Sequence, residues 1–170
     1  MPAAPIHPVE GASAGRHRCR PAVEADETLL RALYHQVRGP EFAMLPPEQR
    51  RPLLDMQYDI QRRAYALQFP GAEFLVIECD GVPAGRLVLH AGSAGLRVVD
   101  IAIDEALRGR GIGRAVLARL QDRARAAGTG AGVFLSVRPG NPARRLYEHL
   151  GFRVCGGDAD GVSETMVWHP

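Results

Sequence analysis

Residues 96–127 constrain the fold more than any other stretch. Leu96-Arg-Val-Val-Asp-Ile-Ala-Ile103 is apolar except at Arg97 and Asp100. It leads into Arg108-Gly-Arg-Gly-Ile-Gly113, after which Ile112, Val116, Leu120, Ala124 and Ala127 recur at helical steps. So apolar a strand is covered on both faces, and the stripe predicts a helix from about Gly109 to Ala127, with Arg119, Asp122, Arg123 and Arg125 towards water. A strand–turn–helix unit of this kind in mid-chain demands an α/β domain built on a central sheet.

The flanking segments supply the rest of that sheet. Residues 1–15, rich in Pro, Ala and Gly, read as a loose tail, leaving 16–170 as one domain, a size a single core can serve. Arg16–Arg20 is a first strand. Asp26 caps a helix whose face carries Leu29, Leu30, Leu33 and Val37, and Gly39-Pro40 stops it. A second helix runs from about Glu48 to Gln68, with Leu53, Met56, Ile60, Ala64 and Leu67 at three- and four-residue steps; Pro52 either sits in its first turns or breaks it. Phe74–Cys79 and Ala84–His90 flank Asp80-Gly81 as a hairpin. Val133–Val137 is a strand, Pro142–Leu150 a short helix, and Phe152–Cys155 and Glu164–Trp168 the closing strands.

The glycine–arginine turn carries the clearest chemistry. Orphan amides and the dipole at a helix start suit a pyrophosphate, glycines let backbone approach its oxygens, and Arg108, Arg110 and Arg114 add cations. A dinucleotide fingerprint fits poorly, since position 114 is Arg and the turn comes after a hairpin instead of in the first βα unit. The same residues also read as a tight strand–helix junction with a solvated arginine face. A second cluster is Asn141-Pro-Ala-Arg-Arg-Leu-Tyr147-Glu-His-Leu-Gly-Phe152. Asn141 is placed to cap a helix and Leu146 and Leu150 to face the core; the Tyr147 hydroxyl suits proton transfer at a cleft edge, or the ring simply packs.

Composition removes several classes of function. All 21 basic side chains are arginine, so this chain holds no Walker A lysine, Schiff-base lysine or lysine base. A net charge of +2 gives no general attraction to polyanions, and nucleic-acid binding is disfavoured. Cys19, Cys79 and Cys155 form no CxxC pair, so neither zinc nor a disulfide framework is expected, and a reducing compartment suits them. No apolar run reaches membrane length and residues 1–7 lack a signal-peptide pattern, which makes the cytoplasm the expected location and a membrane partner unexpected.

Together, the two clusters resemble the GNAT N-acetyltransferase superfamily over about residues 16–168. The family's (Gln/Arg)-x-x-Gly-x-(Gly/Ala) segment reads here Arg108-Gly-Arg-Gly-Ile-Gly113, and its later Asn and Tyr-x-x-Leu-Gly-Phe read Asn141 and Tyr147–Phe152. The resemblance implies a mixed central sheet of six to seven strands flanked by about four helices. It implies an acetyl-coenzyme A donor bound by Ile101, Ala102 and Ile103, by Arg108, Gly109, Arg110, Gly111, Ile112, Gly113 and Arg114, and by Asn141. Tyr147 is then the acid that reprotonates the thiolate, no metal is needed, and the acceptor is a primary amine of a small molecule or peptide.

The family's usual bases are replaced here by Ser136 and Arg97. Asp100, His90, Glu73 or a water chain remain as proton acceptors, and strand alternation sets Asp100 on the face opposite Arg97, Val99 and Ile101. The acceptor side falls to residues 37–68, where Tyr58, Gln57 and Arg62 could line a cleft, and Leu54-Asp-Met-Gln-Tyr58 resembles a segment of bacterial members without an assigned substrate. A non-catalytic acyl-coenzyme A-binding module, a different acyl donor, and a monomer or homodimer all stay open.

Overall fold

The computed structural model describes residues 17–128, 130–157 and 161–170; the tail expected at residues 1–15 lies outside them. One seven-stranded sheet, ordered β1-β2-β3-β4-β5-β7-β6, carries the domain. Its strands are β1 (His17–Pro21), β2 (Glu73–Cys79), β3 (Val82–Gly92), β4 (Gly95–Ile103), β5 (Gly132–Val137), β6 (Arg153–Gly157) and β7 (Glu164–Trp168). All neighbours are antiparallel except β4 and β5. The hairpin turn forms as expected, with Asp80 (φ 52°) and Gly81 (φ 81°) both left-handed, the pair of conformations that matches strand twist.

Four helices cover the sheet: α1 (Glu27–Arg38), α2 (Pro47–Gln68), α3 (Ile112–Ala126) and α4 (Ala143–His149). The main core lies on the α3 and α4 side, where Ile112, Val116, Leu117 and Leu120 meet Leu87, Leu89, Val98, Val133 and Leu135. A smaller cluster of Leu30, Tyr34, Leu54, Tyr58 and Val76 seals α1 and α2 onto the other face. Burying a Leu or Ile in such a core contributes roughly 1.5–3 kcal/mol.

The helices correct the sequence reading in several places. Val37 is exposed, and Tyr34 takes its place in the buried stripe of α1. On α2 the apolar steps point outward: Met56, Ile60 and Leu67 are 53%, 57% and 82% exposed, and the buried residues are Leu54 and Tyr58. Ion pairs decide this orientation. Arg31 meets Asp59 at 2.6 Å, His35 meets Asp55 at 2.9 Å and Arg62 meets Glu27 at 3.3 Å, clamping the polar-rich side of α2 along α1. Pro52 lies within α2 without dividing it. Ala127 is exposed, while Arg119 and Arg123 do not simply face water: Arg119 donates to the His17 carbonyl and Arg123 lies 3.6 Å from Glu73.

Asp26 does not cap α1 in the expected way. Its carboxylate accepts from the Val23 amide (2.9 Å) and, through both oxygens, from Arg20 (2.6 and 2.8 Å). The Arg20 contact, aided by that amide, holds the Asp26 pKa down at about 2. A carboxylate depressed below its ordinary 3.8 stabilises the fold above that pH and loses the contribution as pH falls towards 2. Asp26→Asn is therefore expected to cost about 1–2 kcal/mol at neutral pH and almost nothing near pH 2, as read from urea unfolding at both pH values.

Candidate functional site

The site begins with a break in the sheet. β4 pairs with β5 only from Gly95↔Gly132 to Val98↔Leu135; beyond that β4 runs on to Ile103 and β5 to Val137 without pairing. On its other edge β4 stays paired with β3 through Ile103. Backbone groups of Val99–Ile103 facing β5 therefore lack the ladder that would satisfy them, and a strand edge in this state binds an extended ligand readily.

A bulge sits where the pairing ends. Leu89 pairs with Val98 and Val88 with Asp100, so Val99 has no partner in β3. One extra residue reverses the alternation that follows it. Asp100 consequently lies opposite Ile101, as simple alternation expects, but shares a face with Arg97, and this second placement corrects the expectation. Leu96, Val98, Ile101 and Ile103 pack into the α3 side, whereas Asp100 turns towards α1 and α2.

On that α1–α2 face lies a cavity of about 490 Å³. Tyr58, Tyr65 and Phe74 wall it, Glu27 and Arg62 stand among its polar lining, and Arg86 and Asp100 line it from the sheet. Arg86 Nε lies 2.7 Å from Asp100 Oδ2. Burial pushes the Asp100 pKa up, against the pull of Arg86 and of the Ile101 backbone. Of the expected acceptor-side residues, Tyr58 and Arg62 line the cavity; Gln57 instead accepts from the Tyr34 hydroxyl. His90 stacks near Phe69, with ring centres 5.6 Å apart, and Glu73 faces Arg123 on the α3 side. Arg97 donates to Ser136 Oγ at 2.8 Å, so the two residues standing in for the family's bases hold each other.

The glycine–arginine turn projects on the outside. Arg108, Gly109, Arg110, Gly111 and Arg114 are exposed, and a Cβ at Gly109 or Gly111 would meet nothing within 4 Å. Gly109 (φ 76°) and Gly111 (φ 79°) are left-handed, which moves the helix start from the expected Gly109 to Ile112. Ile112 is buried beneath the turn, and Arg108 Nε donates to the Ile103 carbonyl at 3.0 Å, tying the turn to the end of β4. Exposed amides, cations and open space together fit a pyrophosphate.

Asn141 Oδ1 accepts from the Ala143 amide at 2.9 Å, starting α4 as expected. A Cβ at Gly113 would lie 3.6 Å from Leu146 Cδ2, so α4 packs on the first turn of α3. Tyr147 is buried in the main core, 7% exposed, and so is a packing residue as well as a chemical candidate. Burial first, and the Asp100 charge second, push its pKa up to about 12.

Sequence reasoning missed Arg86, Tyr65 and Glu27. Arg86 had a visible signal, a single cation inside the otherwise apolar run Ala84–Leu89. Tyr65 and Glu27 had none, because only the packing of α2 over the sheet brings them together.

The GNAT acetyltransferase family model matches residues 30–152. No curated protein matches the chain. Among solved structures, the PaiA N-acetyltransferase of Thermoplasma acidophilum, in complex with coenzyme A, is 15% identical with a TM-score of 0.65, covering 91% of this chain and 99% of its own. An acetyltransferase of Thermus thermophilus is 23% identical with a TM-score of 0.62, covering 91% and 97%. At these identities the likeness is one of fold.

The Arg86–Asp100 pair yields a stability test. Arg86→Met strands a buried carboxylate and is expected to cost about 2–4 kcal/mol, with most of that regained in Arg86→Met/Asp100→Leu, where no lone charge remains. Denaturant melts of the two single variants and the double variant measure the coupling; additive losses would mean the two side chains are independent.

Proposed function

The chain belongs to the GNAT acetyltransferase family, and from that premise we propose that it transfers an acetyl group from acetyl-coenzyme A to a primary amine. The observation that carries this reading is the opening between β4 and β5. It runs along the part of β4 that carries Asp100 of the cavity lining and ends at Ile103, where Arg108 of the glycine–arginine turn is tied, so one strand serves both the proposed donor and acceptor sides.

Each part of the site has a physical task in this reaction. The amides at Gly109, Gly111, Ile112 and Gly113, with Arg108, Arg110 and Arg114, hold the pyrophosphate, and the unpaired edge of Ile101, Ala102 and Ile103 holds the pantetheine arm. Asn141 keeps α4 in register beside it. The donor, when bound, supplies an electrophilic thioester carbon and a thiolate leaving group. The new bond is nitrogen to acyl carbon and the broken one is carbon to sulfur.

Two protons must move. Asp100 is the carboxylate placed to take the proton of the entering ammonium, because it alone of the three titratable candidates lines the acceptor cavity. A base whose pKa is raised by burial is also better matched to an amine than an ordinary carboxylate. Tyr147, with its pKa at about 12, stays protonated throughout the neutral range; it gives its proton to the departing thiolate and is restored by the second proton that the nitrogen loses as the amide forms.

Two variants separate these roles from simple binding. Tyr147→Phe is expected to lower kcat tenfold or more with coenzyme A affinity within about twofold. Asp100→Asn is expected to lower kcat/KM and to remove the acidic limb of its pH profile, whose rate rises with pH as the carboxylate ionises. Thiol release from acetyl-coenzyme A across an amine panel is the readout. A protein that binds acetyl-coenzyme A and turns over no amine would instead be an acyl-coenzyme A-binding module. Faster thiol release from propionyl- or succinyl-coenzyme A would reassign the donor.

A further inference from the structure

We infer that the cavity beneath α1 and α2 selects a small monoamine with an aromatic or apolar body, and rejects polyamines and anionic acceptors. This rests on the transferase reading for its location and goes beyond it in naming the acceptor. The argument is the charge balance of the cavity wall, set against its shape.

Nearly every charged group in the lining already has a partner. Glu27 is met by Arg31 at 2.9 Å and by Arg62 at 3.3 Å. Asp100 is met by Arg86 at 2.7 Å. Among the described residues, Glu24 is the lining carboxylate without a cation within salt-bridge distance. A polyamine needs a free carboxylate for each ammonium it buries, and among the described lining residues the cavity offers one, the exposed Glu24. An anionic acceptor needs a free cation; Arg86 is committed to Asp100, and Arg62 is largely exposed and committed to Glu27.

What remains is apolar and aromatic. Tyr65 and Phe74 present ring surface beside Leu30, Ala66, Val88 and the buried Tyr58, one face of which already takes the Arg31 guanidinium at 4.8 Å. Rings of this kind take the flat body of an aromatic amine and also attract a single ammonium through their faces. The volume of about 490 Å³ falls within the range of small-molecule sites, about 300–1,000 Å³. A single amino group carried on such a body needs no second carboxylate, and Asp100, held by Arg86, sits where β4 leaves β5.

The test is calorimetric titration of the full chain with phenethylamine, spermidine and the tripeptide Ala-Ala-Ala, each with and without coenzyme A. Phenethylamine is expected to bind at least tenfold more tightly than either of the others. Tyr65→Ala is expected to weaken it about tenfold, and Ala66→Trp, which fills the cavity from the exposed side of α2, to abolish it. Both variants should keep coenzyme A affinity within twofold. Equal or tighter binding of spermidine or the peptide, or phenethylamine affinity unchanged in both variants, would overturn the acceptor assignment. Failure of the unaltered chain to bind coenzyme A, with phenethylamine still bound, would overturn the transferase reading and leave this one standing.

Discussion

The molecule depends on one unpaired residue in its central strand. With Val99 bulged between the Leu89–Val98 and Val88–Asp100 pairs, β4 ceases to run alongside β5 and its side chains exchange faces. Both consequences matter. The first opens a strip of backbone with unmet hydrogen-bonding capacity in the middle of the sheet, where a closed ladder would leave no room for a ligand. The second carries a carboxylate out of the apolar α3 side, where it would have no partner, and sets it against Arg86.

Around that opening, arginine takes the roles that lysine and arginine share in most chains. Arg20 with Asp26 fixes the start of α1, Arg31 with Glu27 and Asp59 fixes α1 to α2, and Arg86 with Asp100 fixes the sheet floor. A planar guanidinium can serve two acids at once, and Arg20 and Arg31 both do so. These pairs add orientation more than stability, since partly exposed ion pairs contribute about 0–1 kcal/mol each. Their use here is to hold two helices at a distance from the sheet at which a cavity survives between them.

The electrostatics on the two sides of the opening differ in a way that suits transfer. On the outer side, Arg108, Arg110 and Arg114 remain in water on a turn whose glycines leave the backbone uncovered. On the inner side, Asp100 and Glu27 are already matched by arginines, and among the described lining carboxylates Glu24 is left over. An anionic donor is thus attracted from solvent by exposed cations, whereas the acceptor enters a wall that offers little net charge.

Sequence alone determined the order of strands and helices, the hairpin turn, the buried stripe of α3 and the glycine–arginine turn. Each of these depends on local chemistry: left-handed glycines, apolar spacing, and residues that start or stop a helix. It did not determine which side of α2 faces inward, because Met56, Ile60 and Leu67 keep helical spacing as well as Leu54 and Tyr58 do, and only the ion pairs to α1 choose between them. Nor did it determine the side of β4 on which Asp100 stands. That required the register against β3, since a bulge is a mismatch in length between two strands and cannot be read from either one. The groups that meet at the cavity, Glu27, Tyr58, Tyr65, Arg86 and Asp100, come from two helices and two strands, and tertiary packing alone brings them within reach of one another.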